Sequence, residues 1–240
     1  MTYARALFLA ATLALLPAAC QQAQDAVVKA GVNQTSLDDI IAEEPDLAPV
    51  FEADPELAQD YLDTLKRAVN ASGGALTPEI YDQARAVLSK AMITRVVSVE
   101  PALQRRFLGL TRDTFVAFRA NDPRICQSMF LGRPLGDIQQ AMPEPLVRKE
   151  REIMAEILSA PTTDNGREVE ADAARGTAFV QQATLQILEA REIDTSNPNA
   201  FADMAPETAC DLIIDVTKAR LAASDQVVAD TLAADRDAAL

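Results

Sequence analysis

From Ser36 onward apolar residues recur every three and four positions, and that period limits what this chain can fold into. Pro55 precedes Leu57, Ala58, Tyr61, Leu62, Leu65 and Val69. Pro78 precedes Tyr81, Ala84, Leu88, Met92 and Arg95, and Pro206 precedes Cys210, Ile213, Ile214, Thr217 and Leu221. Each set falls along one side of a helix. A proline at the first helical position gives up only an N–H that would have no partner there. Val96, Val97 and Val99 have strand-forming side chains but no second run to pair with. They read as a buried helix end before Pro101. The expected fold is all-α, a single helical bundle or orthogonal helical array of about six to eight helices.

The remaining punctuation fits that class. Ser36 can cap a short helix holding Leu37, Ile40 and Ile41, and Gly73-Gly74 can stop the Pro55 helix. Between Pro101 and Asn121, Leu103, Phe107, Leu110, Thr114 and Phe118 form one stripe, while Leu108 and Phe115 lie on another side. A helix apolar on two sides belongs at the centre. Asp122-Pro123 predicts the start of a short helix with Cys126, Met129 and Phe130, followed by a turn-rich connection over Gly132 to Pro145. A helix is expected over about 146–159, and Val169, Ala173, Gly176, Val180, Thr184 and Ile187 predict a longer one. The Ala- and Asp-rich stretch from Ser224 onward is expected to fray. These signals divide the chain into a signal peptide (1–20), a flexible tether (21–35), a helical domain (36–225) and a fraying acidic tail (226–240).

Composition removes several classes of chemistry. The chain has no histidine, which excludes histidine triads, histidine general bases and most zinc or iron sites. It carries 36 acidic residues against 22 basic ones, for a formal charge of −14. Phosphate neutralisation supplies most nucleic-acid affinity, so no nucleic-acid partner is expected. Its eight glycines form no phosphate-binding loop, and neither a cofactor nor a metal is expected.

The first twenty residues have the layout of an export signal. Arg5 supplies a positive start, Ala6 to Leu16 an apolar run, and Pro17-Ala18-Ala19-Cys20 an exit of mostly small residues. Eleven helical residues span about 16 Å, too short for a bilayer core of about 30 Å. The segment Leu15-Leu16-Pro17-Ala18-Ala19-Cys20 resembles the cleavage box of bacterial lipoproteins, with Pro17 standing where that pattern prefers leucine. The resemblance covers the first 21 residues and implies that Cys20 becomes an acylated N-terminus. Gln21 in place of aspartate resembles the outer-membrane sorting default of proteobacterial lipoproteins. Ordinary secretory cleavage, giving a soluble periplasmic protein, stays open because of Pro17.

Three groups of side chains are candidates for chemistry. With Cys20 set aside, Cys126 and Cys210 form an even pair, a disulfide candidate in an oxidising compartment. Arg105, Arg112 and Arg119 recur every seven residues, inside a window (85–133) with nine basic and three acidic residues. That row could bind an anion or an acidic partner. It could equally neutralise residues 36–63, which hold ten acidic residues and no basic one, and the second reading is preferred. Glu207, Asp211 and Asp215, with Lys218 beyond, read as a solvated acidic stripe rather than cation ligands. Without tryptophan, and with three tyrosines, the chain has little to line a sugar groove. The expected function is a non-catalytic cell-envelope lipoprotein domain for binding or assembly. It would be held at the membrane through Cys20, on the periplasmic side of the outer membrane, with another envelope protein as partner. The alternative is a soluble periplasmic enzyme or enzyme inhibitor acting on cell-wall or envelope substrates, with a cleft between 132–145 and the central helix.

Overall fold

The computed structural model describes residues 36–43, 45–71, 78–131, 138–160, 169–194, 200 and 202–239. Among these the fold is all-α with no strand. The helices are α1 (Leu37–Glu43), α2 (Ala48–Ala53), α3 (Pro55–Ala71), α4 (Pro78–Val96), α5 (Pro101–Asn121) and α6 (Arg124–Leu131). They continue with α7 (Ile138–Ala141), α8 (Glu144–Ser159), α9 (Val169–Ala190), α10 (Pro206–Ala222) and α11 (Asp225–Ala239), and a 3-10 turn at Pro45–Leu47 joins α1 to α2. Seven of them, α3, α4, α5, α8, α9, α10 and α11, have at least 15 residues.

Local chemistry sets the helix starts. The amide and hydroxyl of Ser36 donate to Asp39 Oδ2 at 2.8 and 2.7 Å, and the Asp39 amide donates back to Ser36 Oγ at 3.3 Å. This reciprocal cap ties down the first turn of α1. Asp54 accepts from the Leu57 amide at 2.9 Å, capping α3, while its own amide donates to Val50 O and closes α2. Pro101, Pro145 and Pro206 lie in the first turns of α5, α8 and α10, as their missing N–H allows.

Among the described residues two apolar clusters form the interior, and α5 runs through both. The first gathers α1 to α4, the later part of α8, Val228 and Leu232 of α11, and Leu103, Phe107, Leu108 and Leu110 of α5. The second gathers α6, α7, Val147, Leu188, most of the buried face of α10, and Phe115 and Phe118 of α5. Phe115 and Phe118 meet edge to face, with ring centroids 5.8 Å apart. The predicted central position of α5 is what the structure shows. Val99 is fully buried just after α4, as a helix-end reading of 96–99 requires.

Two expectations need correction. The connection 132–145 holds helix α7, and α8 begins at Glu144 rather than near 146. Of the stretch read as a fraying acidic tail, 226–240, the described residues 226–239 belong to helix α11, and eight consecutive residues from Val228 to Asp235 are buried. Its alanines permit close approach of neighbouring helices, and arginines on α9 and α10 meet its aspartates. Gly73 and Gly74 lie outside the described residues, as do residues 1–35 with Cys20.

Candidate functional site

Each member of the arginine row of α5, one of the three candidate groups, is engaged by protein groups. Arg105 donates through Nε to Asp225 Oδ1, through Nη1 to Leu221 O and through Nη2 to Ala223 O, each at 2.7 Å. It therefore clasps the elbow between α10 and α11. Arg112 donates to the neighbouring Asp113 Oδ1 from Nε at 3.0 Å and Nη2 at 2.6 Å. Asp113 Oδ2 accepts from Lys149 Nζ of α8 at 2.8 Å. Arg119 forks onto Asp211 of α10. The row follows the length of α5 and its members do not converge.

The arginines pair, but not with the acidic segment 36–63 that the preferred reading named. Asp225, Asp113 and Asp211 take the places expected of residues 36–63. For Arg105 and Arg119 the reason is packing, since α10 and α11 lie along α5, while Arg112 turns to its own neighbour Asp113. One carboxylate of the acidic segment does meet a base of the 85–133 window. Asp54 pairs with Arg95, whose guanidinium also donates to Leu158 O.

The α10 acidic row becomes part of an inter-helix ladder. Asp211 faces Arg119 and, at 3.9 Å, Arg191 in the turn just after α9, while Asp215 takes Arg191 and, at 3.1 Å, Lys218. Partial burial pushes the Asp215 carboxyl up, but hydrogen bonds from Arg191 and Lys218 outweigh it and hold the group below the ordinary aspartate range. Asp113 behaves likewise under Lys149 and Arg112. Among the described residues no group of three carboxylate or cysteine side chains is placed to hold a metal ion.

Cys126 and Cys210 are bonded, with Cα atoms 5.1 Å apart and both residues fully buried. The bond joins α6 to α10. Comparison with known protein families, with characterised proteins and with solved structures finds no match.

One polar constellation escaped the sequence reading, and it surrounds α11. Arg220 of α10, only 5% exposed, donates to Thr231 Oγ1 at 3.0 Å and to Asp235 Oδ2 at 2.5 Å. Burial pushes the Asp235 carboxyl up, against the pull of Arg220. On the opposite side Arg175 of α9 donates to Asp230 Oδ2 at 2.9 Å, and Gln226 donates to Asp230 Oδ1 at 2.8 Å. Beside it Gly176 admits the α11 backbone so closely that a Cβ there would strike the Asp230 carbonyl and approach Thr231 N to 2.7 Å. One signal was available: Arg220 sits three residues after Thr217, on the buried stripe of α10.

Proposed function

We propose that the chain is a non-catalytic module of the bacterial cell envelope, carried by a lipid on Cys20 and serving binding or assembly with another envelope component. The observation that carries this reading is the sequence of the first 21 residues, where a basic start and an apolar run of eleven end at Ala18-Ala19-Cys20. The Cys126–Cys210 bond supports it, because a buried bridge of this kind persists in oxidising compartments. The arginine and aspartate pairs around α5, α10 and α11 fit it as well, since they bind helices to one another. Among the described residues no helix is long and apolar enough to cross a membrane, so attachment would fall to the acyl chains, each buried CH₂ adding about 0.8 kcal/mol.

Cell fractionation tests the anchor. Cys20→Ala should move the protein from the membrane to the soluble periplasmic fraction, and the native protein should carry added mass of lipid scale. An unmodified N-terminus on native material would rule the anchor out and favour ordinary secretion. Co-purification from native membranes would then identify what the module binds.

A further inference from the structure

The seat of α11 is specific for the helix it holds. Asp230 and Asp235 are five residues apart, hence about 140° apart around the helix, and they reach Arg175 on α9 and Arg220 on α10 from different sides. The Gly176 notch sits between, where only a bare backbone face fits. A helix seated here must be rich in small residues and carry two carboxylates in that register. The connection to it is slight: α10 ends at Ala222, Ala223 is extended, Ser224 follows, and α11 begins at Asp225.

Nothing covalent requires the bend. From Glu207 to Ala239 there is neither glycine nor proline, so α10 and α11 can run on as one helix through the elbow. In that straight form the carbonyls of Leu221 and Ala223 would accept from the amides four residues on. In the bent form Arg105 serves both carbonyls and Asp225. Ser224 Oγ accepts only a long bond of 3.4 Å from the Val227 amide. Arg105 is thus the main polar tie at the elbow itself, since the bonds of Arg220 to Thr231 and Asp235 are seat contacts that an exchanged helix would make as well.

We propose that α11 is an exchangeable helix: with the elbow straight it takes the same seat in a second copy of this chain, and Arg105 is the latch that keeps it at home. A symmetric pair formed in this way repeats every seat contact of the single chain and differs only at the elbow, so concentration and the latch decide between the two forms. The inference is independent of the lipid anchor.

Two arms test it on the full chain. Arg105→Met keeps the apolar stem and removes the fork. After warming into the unfolding transition and slow cooling at about 0.5 mM, light scattering on a sizing column should show roughly tenfold more dimer than for the unchanged chain. The second arm uses the seat chemistry. Arg220→Glu alone and Asp235→Arg alone each set like charges against one another in a buried site, and each should melt early. Refolded together, they can form an exchanged pair in which both seats again hold opposite charges. A 1:1 dimer with a restored melting transition is expected. A mixture that melts as its two components do overturns the proposal. So does an Arg105→Met chain that folds and stays monomeric. If that variant does not fold, the mixture decides.

Discussion

At the scale of single residues, two helix-interior glycines make opposite demands. Gly109 on α5 has nothing within 4 Å of where a Cβ would stand. Gly109→Ala should therefore stabilise the protein by about 0.5–1 kcal/mol, by relieving the entropic cost of glycine in a helix. Gly176→Ala should destabilise it by about 1–3 kcal/mol or more, since the methyl meets α11 backbone, which cannot rotate aside. Urea denaturation of the two variants checks both signs. Titration gives a second residue-scale expectation. The bonds to Asp113 and Asp215 hold both carboxyls below the ordinary range. Their contribution is complete above the unfolded-state value of about 4 and is lost as pH falls through the lower folded values. Stability should fall on acidification below about pH 4, and Asp113→Asn should flatten part of that loss. Asp235, raised by burial, gives the opposite slope above that range.

At the scale of elements, the disulfide joins α6, an eight-residue helix too short to hold itself, to the buried face of α10. The enclosed stretch spans a separation of 84 residues, for which chain entropy gives about 4.5 kcal/mol. Replacing both cysteines by alanine should lower the melting temperature and cost no more than that figure. A double variant as stable as the parent would refute the bracing role. Most helices were legible because their stripes are apolar: the Leu57-to-Val69 and Leu103-to-Phe118 sets are buried as their spacing required. Helix α11 was harder to read: Val228 and Leu232 make one apolar pair, but most of its other buried residues are alanine and aspartate, which are equally at home in solvent. What buries them are Arg220 and Arg175, 15 and 55 positions away, and no local period encodes such distances. The partners of Arg105 and Arg119 lie 120 and 92 positions off and were hidden for the same reason. The pairing of Cys126 with Cys210 could be read because, of three cysteines, setting Cys20 aside leaves one pair.

At the scale of the whole molecule, α5 belongs to both apolar clusters, and neither can come apart while leaving it covered. That arrangement dictates how long each backbone amide stays closed to deuterium. An amide at the edge exchanges whenever its own turn opens, whereas one on α5 must wait for the molecule as a whole. Amides from Phe107 to Phe118 should therefore be the slowest to take up deuterium, at a rate set by the global unfolding equilibrium. Those of Leu37–Glu43, a seven-residue helix with one buried side chain among its described residues, should exchange orders of magnitude sooner. Denaturant should speed α5 with the full slope of global unfolding and leave α1 nearly unmoved. Mass spectrometry of exchanged peptides reads both, and a fast-exchanging α5 would mean that the two clusters open separately. The protection of one helix, timed in hours, is then a direct measure of the stability of the entire protein.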